Sequence, residues 1–447
     1  MTMKISSRKL SVILCLVPAL YFAFSTAYAL ANFGLFASET PQFIRYVAVP
    51  GALALAFLAL AVFFSAKIGI AAGTNALAVL AALFAVEAVL TAGVFVSFAG
   101  LLGIGSPAPA ENKKVVAQNY LVKGVNNALG IKELRSALLG GIPRELVLLC
   151  SKDGKRIVYT ADRFGFNNPD SLYDGQVDNI IVGDSFIEGM CLEPGKDVVS
   201  QLRKSYPASS AMGTRGSGPL QELAIVGRFG PVLKPRNVIV AFFEGNDWEN
   251  LSNEFKIPWL QEALEPGTDF GSQAVPPVTL EKARGVIRDR AKTPVTYWDI
   301  LWRTELVRNF VALQQVGTAL GVAYPKAALP QPIYRDVLAR ANEITGSWGG
   351  KLTLIYIPRV DRYKGILPRD FVFDQVRSQV LSAATDLKID VIDLVALFQQ
   401  DPDPRTLYAG DAHLSDRGAA VVAQAIVEYF RSALPTAWLQ QRKIPVK

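Results

Sequence analysis

Histidine is almost absent from this chain, because its 447 residues contain one, His413. Imidazole is the side chain best suited to accept a proton from a hydroxyl group near neutral pH. A serine nucleophile in this protein must therefore use His413 or find a different kind of base. A zinc site cannot be read from one histidine and cysteines that form no CxxC spacing, so we expect neither a metal nor another cofactor.

Cysteine is scarce as well, and the three residues are Cys15, Cys150 and Cys191. A disulfide between Cys150 and Cys191 is chemically permitted in an oxidising compartment. Nothing in their spacing demands a bridge, so we expect two buried free thiols.

Charge is missing from most of the first hundred residues. Between Leu10 and Gly105 the Asp, Glu, Lys and Arg residues are Glu39, Arg45, Lys67 and Glu87. Three apolar stretches, at about 10–35, 43–66 and 68–104, are each long enough to cross a hydrocarbon core, which needs roughly 20 apolar residues. We predict a membrane anchor of about three transmembrane helices over residues 1–106 and a linker over 107–130. Glu87 lies within the third stretch, where a carboxyl group is costly unless it is paired or protonated, and the sequence leaves open whether it marks a functional path or only a contact with a neighbouring helix.

Positive charge sets the expected orientation of these helices. Three basic residues precede the first stretch and Lys67 precedes the third, so both positions belong on the cytoplasmic side. Three crossings then place everything after about Pro107 outside the cytoplasm, which predicts a multi-pass protein of the cell (inner) membrane. That side is the periplasm in a Gram-negative cell. Ala27-Tyr28-Ala29 resembles a signal-peptidase site, and cleavage there would leave two spans with the same final topology.

Basic residues form no cluster in the outer part of the chain. The net charge of +7 divides into +3 over residues 1–110 and +4 over the remainder, with no run of Lys or Arg. Nucleic-acid binding needs a clustered basic footprint and is therefore not expected.

Strand-like and helix-like segments alternate after the linker. This alternation predicts an α/β domain over residues 131–447, with a parallel sheet covered by helices on both faces in three layers. The stretch at about 250–345, rich in Pro and Trp at first and then helical, interrupts the alternation. We interpret it as an insertion over the site that shapes substrate specificity. The predicted strands are 179–182, 209–212, 237–243, 352–357 and 390–394.

Polar turns follow three of these strands. Ser185 follows the first strand, Gly216 the second and Asn246 the third, while His413 begins the last helix. Ligands of α/β proteins bind at the carboxyl ends of the strands, so these turns are expected to converge.

The chemistry predicted for this edge is nucleophilic attack on a carbonyl carbon. Ser185 would attack, His413 would accept its proton, and Asp411 would orient the imidazole and stabilise its cation. The backbone N–H groups of Ser185 and Gly216 and the side-chain amide of Asn246 would form the oxyanion hole.

The order of these residues resembles the SGNH (GDSL-like) hydrolase family over roughly residues 160–435, which implies a flavodoxin-like sheet. Gly183-Asp184-Ser185 is similar to its first block, and Gly245-Asn246-Asp247 to its third. Gly216 matches the glycine of the second block. The last block is Asp411-Ala412-His413, whereas the family commonly uses Asp-x-x-His, and this Asp-x-His spacing looks like relatives associated with sugar O-acetylation. Glu244 is a second departure, since glycine is common there.

Together with the anchor and the orientation predicted above, the resemblance implies a membrane-anchored, extracytoplasmic serine esterase acting through an acyl-enzyme on Ser185. The expected partners are the membrane and an ester or acylated carbohydrate substrate. Two alternatives stay open. One is an O-acyltransferase that modifies cell-envelope polysaccharide and takes its acyl groups from a membrane acyl-donor partner. The other is a non-catalytic carbohydrate-binding or assembly module on the same scaffold.

Overall fold

The computed structural model describes most of the chain and divides it into two compact units. The described residues are 6–33, 40–101, 119–152, 155–292, 298, 301, 306–322, 331–366 and 370–433. We call the first unit the helical unit; it consists of residues 1–96, 297–330 and 361–375. We call the second the sheet unit; it consists of residues 97–296, 331–360 and 376–447.

The secondary structure follows the alternation expected from the sequence. The strands are β1 (Leu146–Lys152), β2 (Lys155–Thr160), β3 (Asn179–Gly183), β4 (Ser209–Gly213), β5 (Asn237–Phe243), β6 (Lys351–Ile357) and β7 (Asp390–Asp393). The α-helices of the described residues are α1 (Ser7–Ala31), α2 (Thr40–Phe43), α3 (Val49–Phe63), α4 (Ala66–Leu101), α5 (Val122–Leu129), α6 (Ser185–Glu188), α7 (Val198–Leu202), α8 (Pro219–Leu233), α9 (Asp247–Glu254), α10 (Pro258–Gln261), α11 (Pro277–Lys292), α12 (Leu306–Val311), α13 (Gln314–Leu320), α14 (Ile333–Gly346), α15 (Asp370–Asp386), α16 (Leu394–Gln399) and α17 (Asp416–Ala433). A π-helical turn, Ile44–Ala48, joins α2 to α3, and short 3-10 helices cover Leu134–Ser136, Asp170–Asp174, Glu262–Leu264, Val360–Tyr363 and Pro404–Leu407.

The helical unit contains three candidate membrane-spanning helices. They cover Ser7–Ala31, Ile44–Phe63 and Ala66–Gly93, which correspond to the three predicted apolar stretches. The guanidinium group of Arg8 donates hydrogen bonds of 2.6 Å to the carbonyl oxygens of Val62 and Phe64. The start of α1 and the end of α3 therefore lie at the same end of the bundle, as an antiparallel arrangement requires.

The helical unit also takes in a part of the predicted insertion. Helices α12 and α13 belong to it, together with the segment 361–375, whereas α11 and α14 belong to the sheet unit. Residues of the domain predicted over 131–447 therefore occur in both units. An apolar pattern indicates that a helix face is buried, but it does not indicate which partner covers that face.

The sheet unit is built on a five-stranded parallel sheet, which confirms the predicted fold class. The strand order is β4-β3-β5-β6-β7, and all five residues of β3 are buried. Strand β4 lies on one side of β3 and strand β5 on the other, so right-handed crossovers place α7 and α8 on opposite faces of the sheet. Helix α7 packs with α17 and α8 with α14, which completes three layers. The chain therefore leaves β3 and β5 toward opposite edges of the sheet. Ligands of such sheets bind at this topological switch point.

The structure joins Cys150 to Cys191 by a disulfide bond, with Cα atoms 5.4 Å apart. The prediction of two free thiols is therefore wrong. Cys150 lies in the antiparallel β1–β2 hairpin, which the sequence did not reveal, and the buried face of this hairpin packs against Met190. That contact brings together two cysteines separated by 41 residues, and no spacing rule encodes it.

Folded structure begins before the end of the predicted linker. Helix α5 lies within 107–130, and its Val125 is fully buried in a cluster with Leu138 and Ile142. The side chain of Asn126 hydrogen-bonds to both the N–H and the carbonyl oxygen of Leu138. Residues 107–118 of the predicted linker lie outside the described residues.

Candidate active site

Ser185 stands on a tight turn at the carboxyl end of β3. Asp184 begins helix α6 by accepting a 2.8 Å hydrogen bond from the N–H of Phe186. A Cβ atom on Gly183 would lie 2.5 Å from Ile187 Cγ1, and one on Gly213 would lie 2.3 Å from the backbone nitrogen of Glu188. Only glycine therefore permits β3, β4 and α6 to approach so closely. This packing holds the Ser185 hydroxyl at the switch point of the sheet.

His413 lies on the turn that precedes α17, and its ring reaches Ser185. Its Nε2 is 2.9 Å from Ser185 Oγ, and its Nδ1 is 3.2 Å from Asp411 Oδ2. A proton on Nδ1 would be held by Asp411, which leaves the Nε2 lone pair free to accept the serine proton. The three side chains thus form one continuous hydrogen-bonded chain.

The short Asp-x-His spacing is compatible with this chain because the backbone between the two residues turns back. Ala412 adopts a positive φ of 69°, and Asp411 Oδ1 accepts a 3.2 Å hydrogen bond from the N–H of His413. Burial favours a raised pKa for Asp411, but the hydrogen bonds from His413 and its charge outweigh burial and lower the pKa below its usual value. Asp411 is therefore ionised at neutral pH, as an orienting carboxylate must be.

Gly216 lies in a loop that two buried carboxylates hold from either side. Glu188 accepts a 2.8 Å hydrogen bond from the N–H of Arg215, and Glu254 accepts a 2.7 Å bond from the N–H of Gly218. Gly216 itself has a φ of 73°, a conformation that favours glycine. Its N–H is therefore held in a loop whose backbone is fixed immediately before and shortly after it.

An ion pair reinforces the first of these carboxylates. The guanidinium group of Arg215 forms several hydrogen bonds with Glu188, and the two side chains are 7% and 4% exposed. Tyr159 of the hairpin also donates to Glu188, at 3.1 Å, and Arg215 donates to the carbonyl oxygen of Leu148 at 2.8 Å. Sequence reasoning missed these positioning residues. The signal available in the sequence was a charged residue close to each predicted site residue, because Glu188 lies three residues after Ser185 and Arg215 directly precedes Gly216.

Asn246 lies at the start of α9, and its side chain hydrogen-bonds to Asp184, the residue before Ser185. Its Oδ1 is buried and has no hydrogen-bond partner among the described residues. The neighbouring Asn250 donates a 2.8 Å bond to the carbonyl oxygen of Ser217, which ties α9 to the Gly216 loop. The structure therefore brings the third polar turn to the other two.

Glu244, the departure from the glycine of the family, faces the interior. It is 7% exposed, accepts a 2.6 Å hydrogen bond from the hydroxyl of Tyr356 and a 3.1 Å bond from the N–H of Arg359. Its role is to join the ends of β5 and β6.

Two further carboxyl groups near Asp184 are buried with raised pKa values. Burial, aided by the charges of Asp184 and Glu222, raises the pKa of Asp247 well above its usual value. Burial, aided by Asp184 and Glu254, does the same for Glu222. One oxygen of Asp247 and one of Glu222 have no hydrogen-bond partner among the described residues. Both groups are therefore most stable as neutral acids.

These acids predict that the protein becomes less stable as pH rises. A raised folded-state pKa favours the protonated form in the folded protein. The stabilisation that results is complete at pH values below the ordinary carboxyl pKa and is lost as pH rises through the folded-state pKa. The free energy of unfolding should fall by up to about 1.4 kcal/mol per pH unit for each group. The combined replacement Asp247→Asn and Glu222→Gln should flatten the slope measured by denaturant unfolding from pH 5 to 8. Asp170→Asn is the matched control, because its hydrogen bond from Arg163 lowers its pKa, and equal slopes in all three proteins would contradict the prediction.

Comparison with known proteins gives no match to a family model and none to a curated protein. The structural neighbours are GDSL-type lipolytic hydrolases, the family that the motifs resemble. A lipolytic G-D-S-L family protein from Veillonella parvula is 16% identical and covers 57% of this chain and 98% of its own, with a TM-score of 0.32. The lipase/acylhydrolase from Enterococcus faecalis is 13% identical and covers 57% of this chain and 97% of its own, with a TM-score of 0.32. A two-domain esterase active on acetylated mannans is 10% identical and covers 62% of this chain and 55% of its own, also with a TM-score of 0.32. Similarities of this size carry no argument about the activity.

Proposed function

We propose that this protein is a membrane-anchored, extracytoplasmic serine esterase that acts through an acyl-enzyme on Ser185. The observation that carries the proposal is the hydrogen-bonded chain from Ser185 Oγ through His413 to the ionised Asp411. A serine hydroxyl is a weak nucleophile until a neighbouring base accepts its proton, and this chain supplies that base together with the group that orients it.

The first half-reaction forms the acyl-enzyme. As Ser185 Oγ bonds to the carbonyl carbon of an ester, its proton passes to His413 Nε2, and Asp411 stabilises the resulting imidazolium cation. The negative charge on the substrate oxygen is stabilised by the N–H groups of Ser185 and Gly216 and by the side-chain amide of Asn246. The carbon–oxygen bond to the alcohol then breaks, and the alcohol leaves with the proton from His413.

The second half-reaction repeats these steps with a new acceptor. Water gives a carboxylic acid and hydrolysis, whereas a sugar hydroxyl gives an O-acylated carbohydrate. His413 takes the proton of either acceptor and returns it to Ser185. Esterase and acyltransferase therefore share the acyl-enzyme and differ in what discharges it.

Two features support a location outside the cytoplasm. The Cys150–Cys191 disulfide is typical of chains that fold in oxidising compartments. Arg8 at the start of α1 lies at the same end of the bundle as Lys67 at the start of α4, which favours that end as the cytoplasmic one. An odd number of spans then leads the chain to the other side.

The test is a search for the acyl-enzyme in the full chain purified in detergent. After mixing with p-nitrophenyl acetate and rapid quenching, peptide mass spectrometry should find an acetyl group on Ser185 in the wild type, with none at that position in Ser185→Ala. Adding a soluble cello-oligosaccharide and measuring acetate against acetylated sugar then identifies the acceptor. A folded wild type without acetyl-Ser185 would overturn the proposal in favour of the non-catalytic module.

A further inference from the structure

Helices α12 and α13 are held against the candidate membrane spans by a series of specific contacts within the helical unit. The hydroxyl of Tyr21 in α1 donates a 3.0 Å hydrogen bond to the carbonyl oxygen of Val311, where α12 ends. The ring of Phe84 in α4 packs on Phe310, with centroids 5.6 Å apart. The chain from 306 to 322, which we call the returning segment, thus lies beside the spans.

Glu87 of α4 makes the most demanding of these contacts. Helices α12 and α13 are separated by a break at Leu313, whose φ is 52°. The break leaves backbone N–H groups without helical partners, and the fully buried carboxylate of Glu87 accepts those of Gln315 at 3.0 Å and Val316 at 2.8 Å. Irregular backbone is tolerated at membrane depth only when its polar groups are satisfied by protein in this way.

The contacts fix the depth of the returning segment relative to the spans. At 1.5 Å per residue, Tyr21 lies about 21 Å from the start of α1 and Glu87 about 31 Å from the start of α4, whereas a hydrocarbon core is about 30 Å thick. Both helices start at the cytoplasmic end in the expected orientation, so Val311 lies within the outer part of the core and the break that Glu87 caps lies near its outer boundary. Arg45, at the outer start of the second span, donates a 3.0 Å bond to the carbonyl oxygen of Val322. The segment therefore returns to the outer boundary.

The exposed face of the returning segment is apolar. Val307, Val311 and Leu320 are 48%, 37% and 41% exposed. The carbonyl oxygen of Val311 and the N–H groups of Gln315 and Val316 face the other way and bond to Tyr21 and Glu87. In water such a surface has no stabilising partner, but against lipid chains it is well solvated.

We propose that the returning segment is a re-entrant membrane element that enters the outer leaflet and contacts lipid acyl chains through Val307, Val311 and Leu320. Glu87 acts as its internal cap, which gives the buried carboxyl group a structural purpose. The inference rests on the membrane anchoring in the proposed function but not on the esterase activity. The protein would then have a fourth membrane element, supplied by the predicted insertion.

The test measures contact with lipid in the full chain reconstituted into phosphatidylcholine liposomes. Bimane is attached to single cysteines introduced in a Cys15→Ala background, and lipids brominated on their acyl chains quench the fluorescence. Val311→Cys should lose as much intensity as Val79→Cys, which is exposed on the third span, while Val278→Cys, exposed on α11 of the sheet unit, should lose none. Quenching at Val79 without quenching at Val311 would overturn the re-entrant element and leave the anchoring intact. Absence of quenching at both would overturn the anchoring itself.

A second pair of variants tests the part played by Glu87. Glu87→Ala removes the acceptor of both N–H groups, so the probe on Val311 should lose its lipid quenching and Val311→Cys should react faster with a membrane-impermeant maleimide. Glu87→Gln retains one oxygen acceptor, so its lipid quenching and its maleimide reactivity at position 311 should lie between those of the wild type and of Glu87→Ala. Unchanged quenching in Glu87→Ala would contradict the capping role.

Discussion

Replacement of His413 by alanine is expected to lower kcat for p-nitrophenyl acetate on the order of 10^4- to 10^6-fold. His413 is the only residue of its kind in the chain, so no other imidazole can take over the proton transfer. KM should change little, because the ring of His413 transfers protons during the reaction and does not hold the substrate before the reaction begins. Asp411→Asn should cost roughly a hundredfold less than His413→Ala, since it alters the orientation and stabilisation of the base but leaves the base present.

The single histidine also allows this prediction to be checked by chemical modification and by chemical rescue. Diethylpyrocarbonate modification of histidine should abolish activity in the wild type in proportion to one modified group, and hydroxylamine should restore it. Free imidazole supplied to His413→Ala should recover part of the lost rate, because it can enter the space left by the ring. Full activity in a folded His413→Ala protein would rule out the proposed mechanism.

The sequence predicts the sheet and the convergence of the site because both depend on local patterns. A short apolar run with a polar turn behind it is sufficient to indicate a buried parallel strand and its carboxyl end, as for β3 and Ser185 or β5 and Asn246. Once strands are parallel, their carboxyl ends meet at one edge, so the grouping of the turns follows without any knowledge of distances.

The features that the sequence did not reveal depend on contacts between distant segments. Cys150 meets Cys191 only because a hairpin packs on the turn after α6, and Glu87 meets the returning segment 228 residues later in the chain. The same limit applies to Glu188, whose spacing from Ser185 suggests an ordinary helix residue. An unpaired buried charge is costly, so each such residue in an apolar segment indicates a partner without identifying it.

The second large effect is expected from Glu188. Glu188→Ala should lower the free energy of unfolding by about 3 to 5 kcal/mol, because it leaves the buried guanidinium group of Arg215 without its counter-charge. The matched control is Glu193→Ala, which removes an exposed ion pair with Lys155 from a nearby turn and should produce no measurable change. Denaturant unfolding of the detergent-solubilised chain measures both, and equal stabilities would show that the Glu188–Arg215 pair contributes little.

Stability alone does not separate a structural role from a positioning role, so the pair must also be removed as a whole. Glu188→Leu combined with Arg215→Met should recover most of the stability, because both charges are gone. The backbone N–H at position 215 would still lack its acceptor, and the loop carrying Gly216 would no longer be fixed on that side. We therefore expect kcat to fall by about a hundredfold to a thousandfold with KM nearly unchanged, the loss typical of one oxyanion-hole donor. Glu188→Gln keeps an oxygen that can accept this N–H, so its kcat should be much closer to that of the wild type than the kcat of the double variant. A stable double variant with wild-type kcat would show that Glu188 does not position the Gly216 loop.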